Sequence, residues 1–478
     1  MVDLFIVGCY FAVMLMVGWR ARRGSADAYW VAERRYGTVP VAASLVATIF
    51  GASSTVGIIG LGYSRGLTGA WWSLVGGLAL VPFALFLASR VRRLEVYTLP
   101  DILHKAYGRR VAIAGGAVIS VAWCGVVAAQ IVAGALLLGS VFALSFQGSL
   151  AAVAAIFVLY TLWGGQISVM RTDLWQVFLF AFGLLATLAL VLRAGWEAGG
   201  FLWGVDSGHL AFPVSEGFGW YQVLVFYPLI VGMPYLVGPD MYSRVLCARD
   251  GGAARSAALL AALLVIPLSF LLALLGLLIH ARFPGLPPEA ALPVALTQLA
   301  PAGLRGLVVV GVLGAIMSSA DTTLVSASTI LSRNVVSPLA SLGRQEELRL
   351  TRIFVVLVGG LAWGLASFQQ GIIASLLMAY TVFVGGIALP TLASFWKERL
   401  GVTSRGAFWA VVVGGAMAVL GEFRQGALLR TVVGDGGVRV LETLLGPAYG
   451  SLLPLMFSAL VLVVVSRLDS SGGSQRGV

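Results

Sequence analysis

Gly51-Ala-Ser-Ser-Thr-Val-Gly57 interrupts an apolar run that extends from about residue 39 to residue 64. A hydrophobic stretch of that length reads as a membrane span. A mostly small, hydroxyl-rich segment inside it reads as a place where the helix unwinds. A second interruption, Pro228 followed by Gly232-Met-Pro234 and Gly238-Pro239, lies in the apolar run 220–239. Each break alone has a plainer account, because small residues let helices pack closely and membrane helices tolerate proline. Their pairing in corresponding helices of two halves points to an inverted repeat with a binding site near the bilayer midplane.

The rest of the chain agrees with a bilayer. Its 478 residues are 59% hydrophobic and 11% charged, with a mean hydropathy of +0.96, and such a chain does not stay in water. Apolar runs between charge clusters give thirteen spans, at 2–20, 39–64, 67–90, 111–142, 148–164, 166–192, 220–239, 256–281, 303–332, 352–370, 371–395, 406–421 and 449–466. The expected fold class is an all-α polytopic membrane protein of about 13 transmembrane helices. Little length remains for a soluble catalytic domain. No Ser/His/Asp grouping, Walker loop, metal-protease motif or nucleotide fingerprint is present, so an enzyme is not expected. The start, Met1-Val-Asp-Leu-Phe, lacks a basic leader, and the first apolar block reads as a retained helix. Cys9, Cys124 and Cys247 show no metal-like or disulfide-like spacing.

A net charge of +11 would suggest nucleic acid in a soluble protein. Here most of the 31 Lys and Arg fall in alternate loops, around Arg20-Ala-Arg-Arg, Arg34-Arg35, Arg90 to Arg110, Arg244 and Arg249, Arg344 and Arg349, and Lys397 and Arg399. That asymmetry predicts a plasma (inner) membrane protein with the N-terminus outside and the C-terminus cytoplasmic. The plain account of these charges is orientation and contact with anionic lipid. The partners expected are the lipid bilayer and small ligands, with no nucleic acid and no obligatory protein partner. The organisation expected is a peripheral helix and basic loop (1–37), a core of two repeats (38–192 and 220–395 within 38–395), and two peripheral helices with a short tail (396–478).

A carboxylate at the bilayer centre costs about 2.5–3.5 kcal/mol on insertion scales, so an acid at that depth is a functional candidate. Asp321 is the clear case and Asp173 lies near a span end. Around Asp321, Ala315, Ser318, Ser319 and Thr322 recur at helical spacing and form one small polar stripe. Hydroxyl and carbonyl oxygens on such a stripe, facing freed carbonyls of an unwound helix, suit an alkali cation. The bland alternatives are serines bonded to their own i−4 carbonyls and an Asp173 paired locally with Arg171. His104, His209 and His280 fall in loops or at span edges, which argues against a relay of buried histidines.

Several stretches then carry a resemblance: Ala43-Ser-Leu-Val-Ala47 with Gly57 and Gly62-Tyr63, Tyr97-Thr-Leu-Pro-Asp101, Gly164-Gly-Gln-Ile-Ser-Val-Met-Arg-Thr-Asp-Leu-Trp-Gln176, Arg244, and Ala315-Ile-Met-Ser-Ser319. In this order and spacing, over roughly residues 1 to 400, the chain resembles the sodium:solute symporter family, related to sodium–glucose and sodium–proline cotransporters. The resemblance implies a LeuT-like 5+5 inverted repeat with discontinuous first and sixth core helices. It implies a first sodium (Na+) site from carbonyls of Ala47 and Phe50, the carbonyl of Ala315 and the hydroxyls of Ser318 and Ser319. It also implies a possible second sodium or proton site at Asp173 with Asp321 and Thr322, the last two standing where many two-sodium members resemble Ser-Ser. Substrate donors would come from Ser53, Ser54 and Thr55, with Tyr235 and Met378 completing the set.

Sugar-binding members resemble a polar or charged residue at Ser54 and a glutamine at Met378, a pattern this chain lacks. The expected activity is therefore sodium-coupled symport of a small organic solute, an amino acid or small carboxylate before a sugar, by alternating access. Two alternatives stand beside it: a proton-coupled symporter on the same fold, and a non-transporting membrane solute sensor, which the short tail after Arg467 disfavours.

Overall fold

The computed structural model describes residues 1–22, 24–197, 199–200, 205–368, 371–424 and 449–474. Among the described residues there is no strand, only two isolated bridges, Tyr36 with Ala248 and Ser215 with Phe218. Among the described residues ten helices are long and apolar enough to cross a membrane, and Thr38–Ile49 and Ser404–Leu420 are shorter apolar helices beside them.

Some of these runs hold more than one of the expected spans. The spans expected at 39–64 and 67–90 appear as Thr38–Ile49 followed by one run, Ser53–Arg93, and those at 148–164 and 166–192 as the single run Phe146–Glu197. Apolar blocks show how much chain is lipid-compatible; the backbone at a few residues decides where it bends. Within Phe146–Glu197 the bend is at Gly165, with φ 57 and ψ −159, a region open essentially to glycine alone. The Tyr160 and Thr172 hydroxyls lie 2.8 Å apart, although a straight helix would separate those residues by about 18 Å. The chain therefore doubles back, with Gly165 pressed against the Tyr29 ring.

The second expected span is broken. Thr38–Ile49 ends at Phe50, whose φ of −84 and ψ of 44 leave the helical region; a wide turn over Ser53–Gly57 follows, then helix Ile58–Arg65. The seventh span breaks too, at Gly238 (ψ 144), between Met233–Val237 and Pro239–Leu246. Pro228 and Pro234 do not break it. The chain passes Pro228 in a widened helix, Gln222–Gly232, in which the missing N–H is accommodated. Gly238 extends because the ring of Pro239 disfavours a helical residue before it.

The helix Leu304–Ile330 is the axis of the bundle: every residue from 308 to 330 is buried. It packs on Val2–Ala21, Arg109–Phe142, Phe146–Glu197 and Arg344–Phe368. Close approach elsewhere depends on absent side chains. A Cβ on Gly276 would stand 2.7 Å from the Tyr63 nitrogen, so Gly251–Arg282 lies directly against Ile58–Arg65.

Candidate functional site

The break at Phe50 leaves the last carbonyls of Thr38–Ile49 without helical partners, and Leu304–Ile330 runs beside them. Ser319 Oγ donates to the Thr48 carbonyl at 2.5 Å and lies 3.4 Å from the Ala47 carbonyl. Gly51 permits this approach, since a Cβ there would stand 2.7 Å from Ser319 Cβ and 2.8 Å from Gln130 Oε1. Gln130 in turn accepts from the Ala52 N–H at 2.7 Å and pins the unwound segment. Ala47, Phe50 and Ala315 are all buried at this crossing.

Ser318 faces a second, contiguous network. Its hydroxyl donates to Asp173 Oδ1 at 2.7 Å, and Ser44 donates to Asp173 Oδ2. Arg244 Nη2 lies 3.5 Å from the same Oδ2, both side chains being fully buried. Arg244 also donates through Nε to Thr48 Oγ1 at 2.9 Å and approaches the Ser318 carbonyl at 3.5 Å. A buried charge needs a counter-charge and hydrogen bonds, and this carboxylate has both.

Three plain readings of the sequence are thereby corrected. Asp173 does not pair with Arg171, which is exposed, and Arg244 is not an orienting loop charge. Nor do Ser318 and Ser319 bond their own i−4 carbonyls; both reach across to other helices. That behaviour belongs to Thr322 and Thr323, which donate to the carbonyls of Ser318 and Ser319 at 2.7 and 2.5 Å.

Asp321 lies one helical turn beyond Ser318. Its Oδ1 accepts from Thr161 Oγ1 at 2.7 Å, and its Oδ2 is buried without a hydrogen-bond partner. Asp321 therefore faces Thr161 near the turn at Gly165, whereas Asp173 faces Ser318, Ser44 and Arg244.

On the other side of the break, Ser53, Ser54 and Thr55 are buried. Ser54 Oγ accepts from Ser73 Oγ at 2.6 Å, while Thr55 Oγ1 is turned to its own helix, donating to the Gly51 carbonyl at 2.8 Å. Tyr235 is buried, and a Cβ on Gly76 would stand 3.0 Å from its ring. Trp72 stacks on Tyr380 with centroids 6.5 Å apart and meets Tyr227 edge-on. Met378 is half-buried on Ile372–Phe383, two residues from Tyr380.

Sequence reasoning passed over Ser44, Thr48, Ser73, Gln130 and Thr161. Gln130 carried a usable signal, an amide in the middle of a long apolar run. The hydroxyl residues carried none, because a Ser or Thr in a membrane helix usually bonds its own backbone.

The sodium:solute symporter family matches residues 29–414. Human sodium/glucose cotransporter 4 is 26% identical over 97% of this chain and 75% of its own. The sodium/glucose cotransporter of Vibrio parahaemolyticus is 24% identical over 88% and 85%. In three dimensions the chain superposes on a Na+-coupled sialic acid symporter in a substrate-bound outward-open state, with a TM-score of 0.74, 14% identity and 98% coverage of both chains. A nucleobase-cation-symport-1 family transporter gives 0.58 at 13% identity, covering 92% of this chain and 95% of that one. The fold is that of LeuT-like transporters, and sodium is the coupling ion of the family. On the extent of the match, the chain belongs to the sodium:solute symporter family.

Proposed function

We propose that the protein couples the inward movement of sodium to that of an amino acid or small carboxylate by alternating access, with one ion held where Thr38–Ile49 faces Leu304–Ile330. The approach of Ser319 Oγ to the Thr48 and Ala47 carbonyls, 2.5 and 3.4 Å, carries this reading. Ala47, Phe50 and Ala315 supply carbonyls, and Ser318 and Ser319 supply hydroxyls; hard oxygen donors of this kind suit an alkali ion. Asp173 lies one hydrogen bond away through Ser318, and Arg244 orients that carboxylate.

Ion binding would hold the break between residues 47 and 57 in one arrangement, and the solute would bind on its other side at Ser53, Ser54, Thr55, Tyr235 and Met378. The absence of glutamine at Met378 favours an amino acid or carboxylate over the sugars named for the human and Vibrio relatives. The two repeats are 38–192 and 220–395, and the N-terminus lies outside the cytoplasmic membrane.

The test is uptake by proteoliposomes of the purified chain under an inward sodium gradient, with labelled amino acids, short carboxylates and glucose offered separately. Uptake of one of the first two that requires external sodium and is lost in Ser318→Ala is the expected result. Uptake of glucose alone would overturn the solute class, and uptake unchanged in sodium-free buffer would overturn the coupling.

A second reading has its own observation. Asp321 Oδ2 is buried and unpartnered, and Asp321 makes no ion pair with a described residue. With Thr322, it would bind a second sodium or carry a proton. Proton coupling predicts acid-stimulated uptake that disappears in Asp321→Asn.

A further inference from the structure

Between Val2–Ala21 and the second half of Phe146–Glu197 runs a groove of about 610 Å³, outside the proposed transport path. Val13, Val17, Trp175 and Leu179 line its length; Arg20 and Arg171 stand at one end and Cys9 at the other. The two helices are antiparallel here. Gln176 Nε2 donates to Tyr10 OH at 2.9 Å, while Gly18 packs against Tyr160, just before the turn at Gly165. The same pairing places both arginines on the Gly165 side of the Tyr10–Gln176 contact. Both arginines are exposed, and neither forms an ion pair among the described residues.

Exposed apolar walls are ordinary in a membrane protein. A groove that is apolar along its length and doubly cationic at one end is complementary to something with the same polarity. From Cys9 to Arg20 the helix rises about 17 Å, close to the ~15 Å of hydrocarbon in one leaflet of a ~30 Å core.

We propose that this groove holds one anionic phospholipid of the cytoplasmic leaflet, with an acyl chain along Val13, Val17 and Trp175 and the phosphate between Arg20 and Arg171. Guanidinium is well matched to phosphate, and anionic lipid is concentrated in that leaflet. The assignment rests on the N-terminus-outside orientation, which labelling of engineered loop cysteines with an impermeant reagent measures separately. The floor of the groove meets the helix of the ion site. Tyr10 OH lies 3.9 Å from Met317 Sδ, and a Cβ on Gly314 would stand 3.0 Å from that hydroxyl. A bound lipid thus braces the segment that carries Ser318 and Ser319.

The experiment uses the full chain, delipidated in neutral detergent and titrated with phosphatidylglycerol, phosphatidylcholine or inorganic phosphate. Retained lipid is read by native mass spectrometry and the unfolding midpoint by a thermal shift. Two basic contacts predict roughly 30-fold tighter binding of phosphatidylglycerol than of phosphatidylcholine. R20Q/R171Q should lose that preference and R109Q/R110Q, an exposed basic pair elsewhere, should keep it. V13W retains both cations but fills the groove, and should retain neither lipid; it serves alone if the double variant does not fold. Equal binding of the two lipids, a preference that survives R20Q/R171Q, or full binding to V13W would each overturn the proposal. So would a shift produced equally by inorganic phosphate, which would mark a site for a free anion.

Discussion

At the scale of single residues the site depends on which way two adjacent serines point. Ser319 turns to the carbonyls of the broken helix and Ser318 to Asp173, so one helix reaches both the freed carbonyls and the buried carboxylate. A hydrogen bond to a charged group contributes about 1.5–3 kcal/mol, and Ser318→Ala, besides losing uptake, should weaken sodium binding roughly tenfold or more, read from the sodium dependence of the unfolding midpoint. Asp173→Asn poses a different problem, because it leaves the Arg244 guanidinium buried without its counter-charge. Stranding one member of a buried pair costs about 3–5 kcal/mol. The expected result is a large fall in the unfolding temperature of D173N, mostly recovered in D173N/R244M while transport stays lost. A double variant no more stable than D173N would show that the pair is not the source of the effect.

At the scale of elements, two devices hold the architecture. The fold-back at Gly165 needs a backbone conformation that L-residues avoid, and a Cβ there would stand 2.5–2.8 Å from the Tyr29 ring. Gly165→Ala should abolish accumulation of folded protein. Gly364→Ala, where a Cβ would meet nothing within 4 Å, should leave folding intact or raise stability by a few tenths of a kcal/mol to about 1 kcal/mol; size-exclusion profiles compare the two.

The second device is on the connector after Gly251–Arg282, where Glu289 accepts from the Ile372 N–H at 3.0 Å at the start of Ile372–Phe383. Burial pushes the Glu289 carboxyl above its ordinary value, with the Ile372 N–H opposing. The docked connector thus binds the proton more tightly than an undocked one. Docking is strongest below the ordinary value of 4.5 and weakens as pH rises through the shifted one. Hydrogen exchange at the Ile372 amide should show protection falling with pH in the native chain and flat in Glu289→Gln. A pH trend unaltered by the substitution would remove Glu289 as its cause.

At the scale of the whole molecule, the question is how steep a solute gradient the bundle can sustain. One charge moving through about 100 mV contributes roughly 2.3 kcal/mol, enough for on the order of 50-fold accumulation, and a second ion at Asp321 would multiply this by a similar factor. With the potential clamped near that value and no sodium gradient, Asp321→Asn should lower the steady-state accumulation ratio by on the order of 50-fold; an unchanged ratio would leave a single coupled ion. Much of this molecule was legible before any coordinate. Hydropathy is local and additive along the chain, so composition and apolar runs by themselves determined a polytopic membrane protein. The small hydroxyl-rich stretch at 51–57 marked the broken helix, and motif order marked the family. Only the tertiary structure decided that adjacent apolar blocks join into single bent runs, that the second break falls at Gly238, and that Asp173 takes Arg244 and Ser318 as partners while Asp321 takes Thr161. Those outcomes depend on how helices distant in sequence dock, and on whether one glycine leaves room for a neighbour. A linear pattern of apolar and polar residues does not encode either of these in any single stretch.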